Sequence, residues 1–191
     1  MNSNKLKSYL TAVVLIVGVV CMKAQEACVG DYVVNGINTG VVFYVDSTGQ
    51  RGWAVALRDY DYSNWGKWGE DTPLPNVWRR EDALSDFNGN NNTVFILDNL
   101  YECPAFYSFY TEHGMYLPAI GQLAVLYKNI QKVNEGIVAA GGAALEGTYW
   151  SSTERSRCHA WYMSVTEGIF SSAEGLCDKS CNRCIRGVFD F

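Results

Sequence analysis

Short apolar runs separated by turn-forming residues occupy residues 31–59, in a pattern typical of β-strands. Within "DYVVNGINTGVVFYVDSTGQRGWAVALRD", three β-rich runs cover residues 33–34, 41–45 and 53–57. Asn-Gly and Ser-Thr-Gly breaks separate these runs. The pattern predicts a hairpin with residues 46–51 at its tip. The segment that follows, "YDYSNWGKWGEDTPLPN", is predicted to be a long loop carrying four aromatic side chains.

The middle of the chain has helical spacing instead. "NNNTVFILDNL" predicts a helix that opens at Asn92 or Thr93, and Pro104 suits the first turn of a second helix over 105–113. Apolar residues in "LPAIGQLAVLYKN" and "KVNEGIVAAGG" predict two more helices, the last of them stopped by Gly141 and Gly142.

Strand patterns return in the last 45 residues, as "TYWSST", "HAWYMSV", "GIFSSA" and "RCIRGVFDF". The order of strands, then helices, then strands is typical of the α+β class rather than of alternating βαβ units. It predicts antiparallel sheets with short helices in the middle and both chain ends in the sheet.

The first 24 residues are predicted to be a secretory signal peptide. Lys5 and Lys7 precede an apolar run over 10–20, which is too short to cross a bilayer, and small residues follow it. Cleavage after Ala24 would leave Gln25 first, whereas lipidation at Cys21 is the alternative. We therefore expect an exported protein of the periplasm, cell surface or extracellular space, with one domain over 25–191.

Charge and hydropathy limit the classes of partner that this domain is expected to bind. Residues 25–191 carry 12 basic and 20 acidic side chains, a net charge of −8. This argues against nucleic acid and anionic membranes as partners. No second long apolar run follows, so no membrane span is expected in the mature chain.

An even number of cysteines in an exported chain predicts disulfides. Six remain after processing: Cys28, Cys103, Cys158, Cys177, Cys181 and Cys184. Zinc ligation by the last three cysteines together with His159 is the weaker alternative.

A hairpin register suggests one pairing. If Glu167 and Gly168 form a two-residue turn in "SVTEGIF", then Cys158 lies opposite Cys177. Cys28, Cys103, Cys181 and Cys184 would then share the remaining bonds, for which Cys28–Cys103 and Cys181–Cys184 is the preferred arrangement. A bulge would instead direct Cys158 to Cys181 or Cys184.

Residues 148–163, "TYWSSTERSRCHAWYM", combine the residue types of nucleophilic active sites. However, the chain has no G-x-S-x-G motif, and Cys158 and His159 are neighbours that a strand would point to opposite faces. Neither H-E-x-x-H nor a correctly placed calcium loop occurs, since Gly89 is fourth in "DFNGNNN". The segment is therefore interpreted as scaffold, and the chain as a non-enzyme without a metal or cofactor.

Aromatic and charged residues on loops are the candidates for binding a ligand. One group lies in the aromatic loop and comprises Tyr60, Tyr62, Trp65 and Trp68. The other lies near the C-terminal strands and comprises Arg155, Arg157, His159, Glu167 and Phe170.

Several blocks, in this order, resemble a bacterial extracellular family, the C-terminal domain of collagen-like adhesins. They include "GVVFYVDSTGQRGWAVAL", "GMYLPAIGQLAVLYKN", "AAGGAALEGTYWSSTE" and "CIRGVF", and together they span nearly all of residues 30–191. The resemblance implies a C-type-lectin-like fold, which formylglycine-generating enzymes share. The E-P-N, Q-P-D and W-N-D tripeptides of calcium-dependent sugar binding are missing.

The resemblance implies a non-catalytic adhesion module that binds a glycan or an envelope protein at the cell surface. Two alternatives remain: a structural or accessory subunit of a surface assembly, and a variable binding protein of a diversity-generating retroelement. A fold-sharing enzyme ranks below these.

Overall fold

A computed structural model describes residues 26–109, 114–172 and 178–191. The predicted signal peptide, Gln25 and Cys177 lie outside these ranges. Within them, none of the helices is both long enough and apolar enough to cross a membrane.

The first sheet is antiparallel throughout. It contains β1 (Tyr32–Asn35), β2 (Asn38–Val45), β3 (Gly52–Ala56), β5 (Met115–Tyr116) and β10 (Val188–Asp190), in the order β1-β2-β3-β10-β5. The predicted hairpin is confirmed, because β2 and β3 pair and the Asp46 N–H donates to the Arg51 carbonyl at its tip, at 2.8 Å. The C-terminal β10 lies between β3 and β5, as expected for a chain whose ends both enter the sheet.

The second sheet is mixed. It contains β4 (Asp61–Asn64), β6 (Thr148–Ser156), β7 (His159–Ser164), β8 (Ile169–Ser171) and β9 (Asn182–Ile185), in the order β4-β9-β6-β7-β8. Only the β6–β9 contact is parallel among these described pairs. β4 corrects the prediction of an unstructured aromatic loop, since Asp61 to Asn64 pair with β9.

Five short helices lie in the middle of the described chain. They are α1 (Arg80–Ala83), α2 (Gly89–Asp98), α3 (Pro104–Tyr107), α4 (Ile120–Lys128) and α5 (Ile130–Ala139). The α+β class is thereby confirmed. The sequence pattern missed α1, and α2 begins at Gly89, so Thr93 lies inside this helix rather than capping it. Pro104 opens α3 as predicted, but the helix ends at Tyr107.

Two apolar clusters pack on opposite faces of the second sheet, because neighbouring residues of a strand point to opposite sides. Tyr149 and Met163 join the cluster that contains α4 and α5 residues such as Leu123 and Ile137. Trp150 joins the other cluster, with Trp65 and Phe106. Tyr149 and Trp150 therefore point to opposite faces of the sheet, and both faces of β6 are buried.

The β7–β8 hairpin corrects the predicted register. Tyr162 pairs with Ser171 and Ser164 with Ile169, so residues 165–168 form a four-residue turn. The glycine with positive φ, Gly168 at 65°, is the last turn residue rather than the second of two central ones. This register does not place Cys158 opposite Cys177, which removes the argument for that pairing.

Candidate functional site

The hydroxyl-rich part of β6 is buried and satisfied by the scaffold. Ser151 donates to the Trp161 carbonyl at 2.7 Å, and Asn92 Nδ2 donates to Ser152 Oγ at 3.1 Å. Thr153 accepts from the Ile120 N–H at 3.0 Å and donates to Asp86 Oδ2 at 2.7 Å. These bonds tie β6 to β7, α2 and α4, which supports the scaffold interpretation of this segment.

The next residue of β6, Glu154, forms a buried ion pair that sequence reasoning missed. Its Oε1 contacts Lys179 Nζ, and both side chains are almost completely buried. Thr72 donates its hydroxyl to Oε2 and its N–H to Oε1, while Lys179 also donates to the Glu70 carbonyl at 3.0 Å. The ammonium group lies 4.6 Å from the centre of the Trp65 ring. Because Lys179 is distant in sequence, no local pattern indicated this pair.

These contacts fix the loop over 65–79 across one end of the β6–β7 hairpin. The Gly69 N–H donates to the Arg157 carbonyl at 3.0 Å, and the Val77 N–H donates to the Glu154 carbonyl at 2.9 Å. Trp161 Nε1 donates to the Val77 carbonyl at 2.8 Å. The loop is therefore attached to the hairpin by backbone hydrogen bonds at two places, Gly69 and Val77.

Of the three tryptophans in the loop over 65–79, one is buried in the core and two are exposed at the surface. Trp65 is fully buried and donates from Nε1 to the Ser151 carbonyl at 2.7 Å, so it is not available to a ligand. Trp68 is 60% exposed, as a binding residue requires. Trp78, which the sequence analysis did not select, is 61% exposed.

One arginine side chain lies beside Trp78, and the backbone of another arginine bonds to the residue after Trp68. The Arg155 guanidinium is 5.7 Å from the centre of the Trp78 ring, within the range of a cation–π contact. Arg157 is in the β6–β7 turn, where its carbonyl accepts from the residue after Trp68. His159 begins β7, with Nδ1 at 3.4 Å from Ser156 Oγ. We call this group the aromatic–arginine surface: Trp68, Trp78, Arg155, Arg157 and His159.

The other predicted binding residues lie elsewhere. Glu167 and Phe170 are at the opposite end of β7, where Phe170 packs edge-on against Tyr127 with ring centres 5.7 Å apart. Tyr62 is exposed on the edge strand β4. Tyr60 is half-buried and donates its hydroxyl to Met115 Sδ at 2.8 Å. The nine candidates therefore do not form one site.

No disulfide joins Cys28 to Cys103 or Cys181 to Cys184 in this structure. Cys28 is exposed before β1, whereas Cys103 is buried against Gly66 at the start of α3. Burial raises the pKa of the Cys103 thiol to about 12. The Cys158–Cys177 bond stays a prediction, since Cys177 lies outside the described residues.

Among the residues that the structure describes, no group of three or more histidine, cysteine, aspartate or glutamate side chains could hold a metal ion. The zinc alternative therefore gains no support from this part of the chain.

Comparison with known proteins gives a likeness of fold. The chain is similar to a fimbrial protein from Bacteroides ovatus, with a TM-score of 0.53 and 18% sequence identity. The match covers 73% of this chain and 36% of the fimbrial protein, so the chain spans about a third of that protein's length. No family model and no curated protein matches the chain.

Proposed function

We propose that this protein is an exported, non-catalytic subunit or accessory component of a cell-surface assembly, with a C-type-lectin-like fold. We further propose that it binds a partner protein through the aromatic–arginine surface. The likeness to a fimbrial protein favours assembly over recognition of a free glycan. The resemblance of its sequence blocks to adhesin domains supports the same location.

The observation that carries the proposal is the pair of exposed tryptophans on a fixed loop. Tryptophan and arginine are enriched among the residues that dominate the binding energy of protein interfaces. Backbone bonds at Gly69 and Val77 hold the chain beside Trp68 and Trp78. A partner would therefore bind rings whose supporting loop is already ordered, at a low entropic cost.

A pull-down from envelope extract tests the proposal. Immobilised residues 25–191 should retain one protein partner, and Trp68→Ala and Trp78→Ala should each weaken its binding by about tenfold or more. Tyr32→Ala is the matched control, since Tyr32 is an exposed aromatic residue on the edge strand β1. It should retain the partner at the level of the unmodified protein.

A glycan array run with the same variants separates the glycan alternative. Glycan binding that is lost in Trp68→Ala, without a protein partner, would show that the surface is a lectin site. Retention of the partner by the Trp68→Ala/Trp78→Ala double variant would refute the proposed interface.

A further inference from the structure

A separate cleft of about 810 Å³ lies where β2 begins and where β3 and α5 end. Its lining includes Thr39, Arg58, Asp59, Tyr60 and the paired glycines 141 and 142. The volume is within the range of small-molecule sites. Tyr60, which lines the cleft, directly precedes β4, whereas Trp68 of the aromatic–arginine surface follows the end of that strand. The cleft and the aromatic–arginine surface therefore lie at opposite ends of β4.

A buried arginine, Arg186, bonds to three of the residues that line the cleft. Arg186 donates from Nε to Asp59 Oδ1 at 2.6 Å, and its two terminal nitrogens donate to the Ala56 and Ala143 carbonyls, each at 3.0 Å. The guanidinium thus joins the end of β3 to the segment after α5 and neutralises the Asp59 carboxylate. Both sides of the cleft are held by one side chain, so the cleft is formed before any ligand binds.

The charge of the cleft is opposite in sign to that of the protein. Arg58 is exposed on its lining and has no ion-pair partner among the described residues. Arg186 and Asp59 cancel, which leaves one positive charge in a domain whose net charge is −8. Arginine binds carboxylates with two parallel hydrogen bonds, so this position favours a carboxylate.

The remaining lining favours a hydroxylated ligand over a peptide. Thr39 offers a hydroxyl group, and Gly141 allows close approach to the backbone, because even an added Cβ atom there would meet no other atom within 4 Å. A peptide that binds by adding a strand to a sheet edge needs apolar pockets for its alternate side chains, whereas the exposed surface of this lining is mainly polar. We propose that the cleft binds a carboxylate-bearing oligosaccharide, with Arg58 as the carboxylate-binding residue.

Isothermal titration of residues 25–191 with trigalacturonate tests this inference, with the neutral galactose trisaccharide as the matched ligand. Trigalacturonate should bind at least tenfold more tightly than the neutral sugar. Arg58→Gln should weaken its binding by about tenfold or more, as expected for a lost hydrogen-bonded charge pair. Affinity should also fall as salt is raised.

Two variants serve as controls. Arg51→Gln removes an exposed arginine at the hairpin tip, at the far end of β3 from the cleft, and should leave affinity unchanged. Trp68→Ala should also leave it unchanged, so failure of the proposed protein interface and failure of this site are distinguishable. No binding of trigalacturonate, equal binding of the neutral sugar, or equal binding by Arg58→Gln would overturn the inference.

Discussion

The Glu154–Lys179 pair shows how much a single buried residue can determine. Both charges are removed from water, and each is compensated by the other and by Thr72 and the Glu70 carbonyl. Removing one partner leaves an unpaired buried charge, which typically costs about 3–5 kcal/mol. Removing both can cost much less, because apolar side chains need no compensation.

We therefore expect Glu154→Leu and Lys179→Met each to lower the free energy of unfolding by about 3–5 kcal/mol. The double variant Glu154→Leu/Lys179→Met should lose less than either single variant. Urea denaturation measures all three. Lys67→Met, which breaks the exposed Lys67–Glu70 pair, is the control and should cause no measurable change. Additive losses in the double variant would contradict the coupling.

Cys103 gives a prediction about alkaline pH. Its thiol would ionise near the ordinary pKa of 9.0 in the unfolded chain, but burial raises the folded pKa to about 12. The unfolded chain therefore loses a proton that the folded protein keeps, so stability is fully present below pH 9 and falls as pH rises toward 12. Burial also raises the pKa of Tyr116 and Tyr149, which act in the same direction.

In reducing buffer, the unfolding free energy of Cys103→Val should decline less steeply between pH 9 and pH 11 than that of the unmodified protein. The difference in this decline should be about 2 kcal/mol. Urea titrations at several pH values measure it. Cys28→Val alters an exposed cysteine and should follow the unmodified curve, while identical slopes for all three proteins would disprove the role of Cys103.

Helix α5 packs on the segment before β1 through two glycines, Gly136 and Gly30. A Cβ atom built at Gly136 would lie 2.4 Å from the Gly30 carbonyl oxygen, which is a backbone atom that cannot move aside easily. Replacing a helical glycine with alanine normally stabilises a helix by about 1 kcal/mol. At Gly136 the close approach of Gly30 reverses this effect, so alanine is expected to lower the stability of the protein.

Gly136→Ala should therefore destabilise the protein by about 1–3 kcal/mol in urea denaturation, as overpacking does. Gln131→Ala, at an exposed position of the same helix, should be neutral or slightly stabilising, because the higher helix propensity of alanine offsets the loss of the exposed Gln131–Glu135 hydrogen bond. A stabilised Gly136→Ala variant would show that the segment before β1 does not pack on α5 in solution.

Sequence patterns predicted the elements well where the signal is local. The β2–β3 hairpin, the Pro104 helix start and the strands of the last 45 residues all follow from periodicity and breaker residues. β4 escaped prediction because "DYSN" has no apolar alternation, and it is a strand only through its pairing with β9. The four-residue turn before β8 also escaped, since Gly168 suits two turn types.

The candidate site was predicted only in part, for the same reason. Trp65 and Trp68 are three residues apart with similar neighbours, yet one fills the core and the other is exposed. The burial of Trp65 depends on contacts with Ser151 and Lys179, which are remote from it in sequence. Trp78 belongs to the surface because Val77 bonds to β6, and no motif marks that contact.

The two ends of the described chain and its middle are interdependent. β10 joins β3 to β5, so the first sheet is continuous only when the last residues of the chain are in place. The two apolar clusters share β6 and β7, whose neighbouring residues point alternately into one cluster and the other. If one cluster loses its packing, β6 and β7 are displaced, and the residues that these strands contribute to the other cluster are exposed as well.

This arrangement predicts a single cooperative unfolding transition. Tryptophan fluorescence, which reports on Trp65 and Trp150 in one cluster and Trp161 in the other, should change at the same urea concentration as far-ultraviolet circular dichroism.

A variant that ends at Gly187 lacks β10, with its buried Val188 and Phe189, and should show no cooperative transition. Phe191→Ala, which alters only the half-buried last residue, is the control and should retain the transition. Separate midpoints for fluorescence and circular dichroism would mean that the clusters unfold independently, and that β6 and β7 do not couple them.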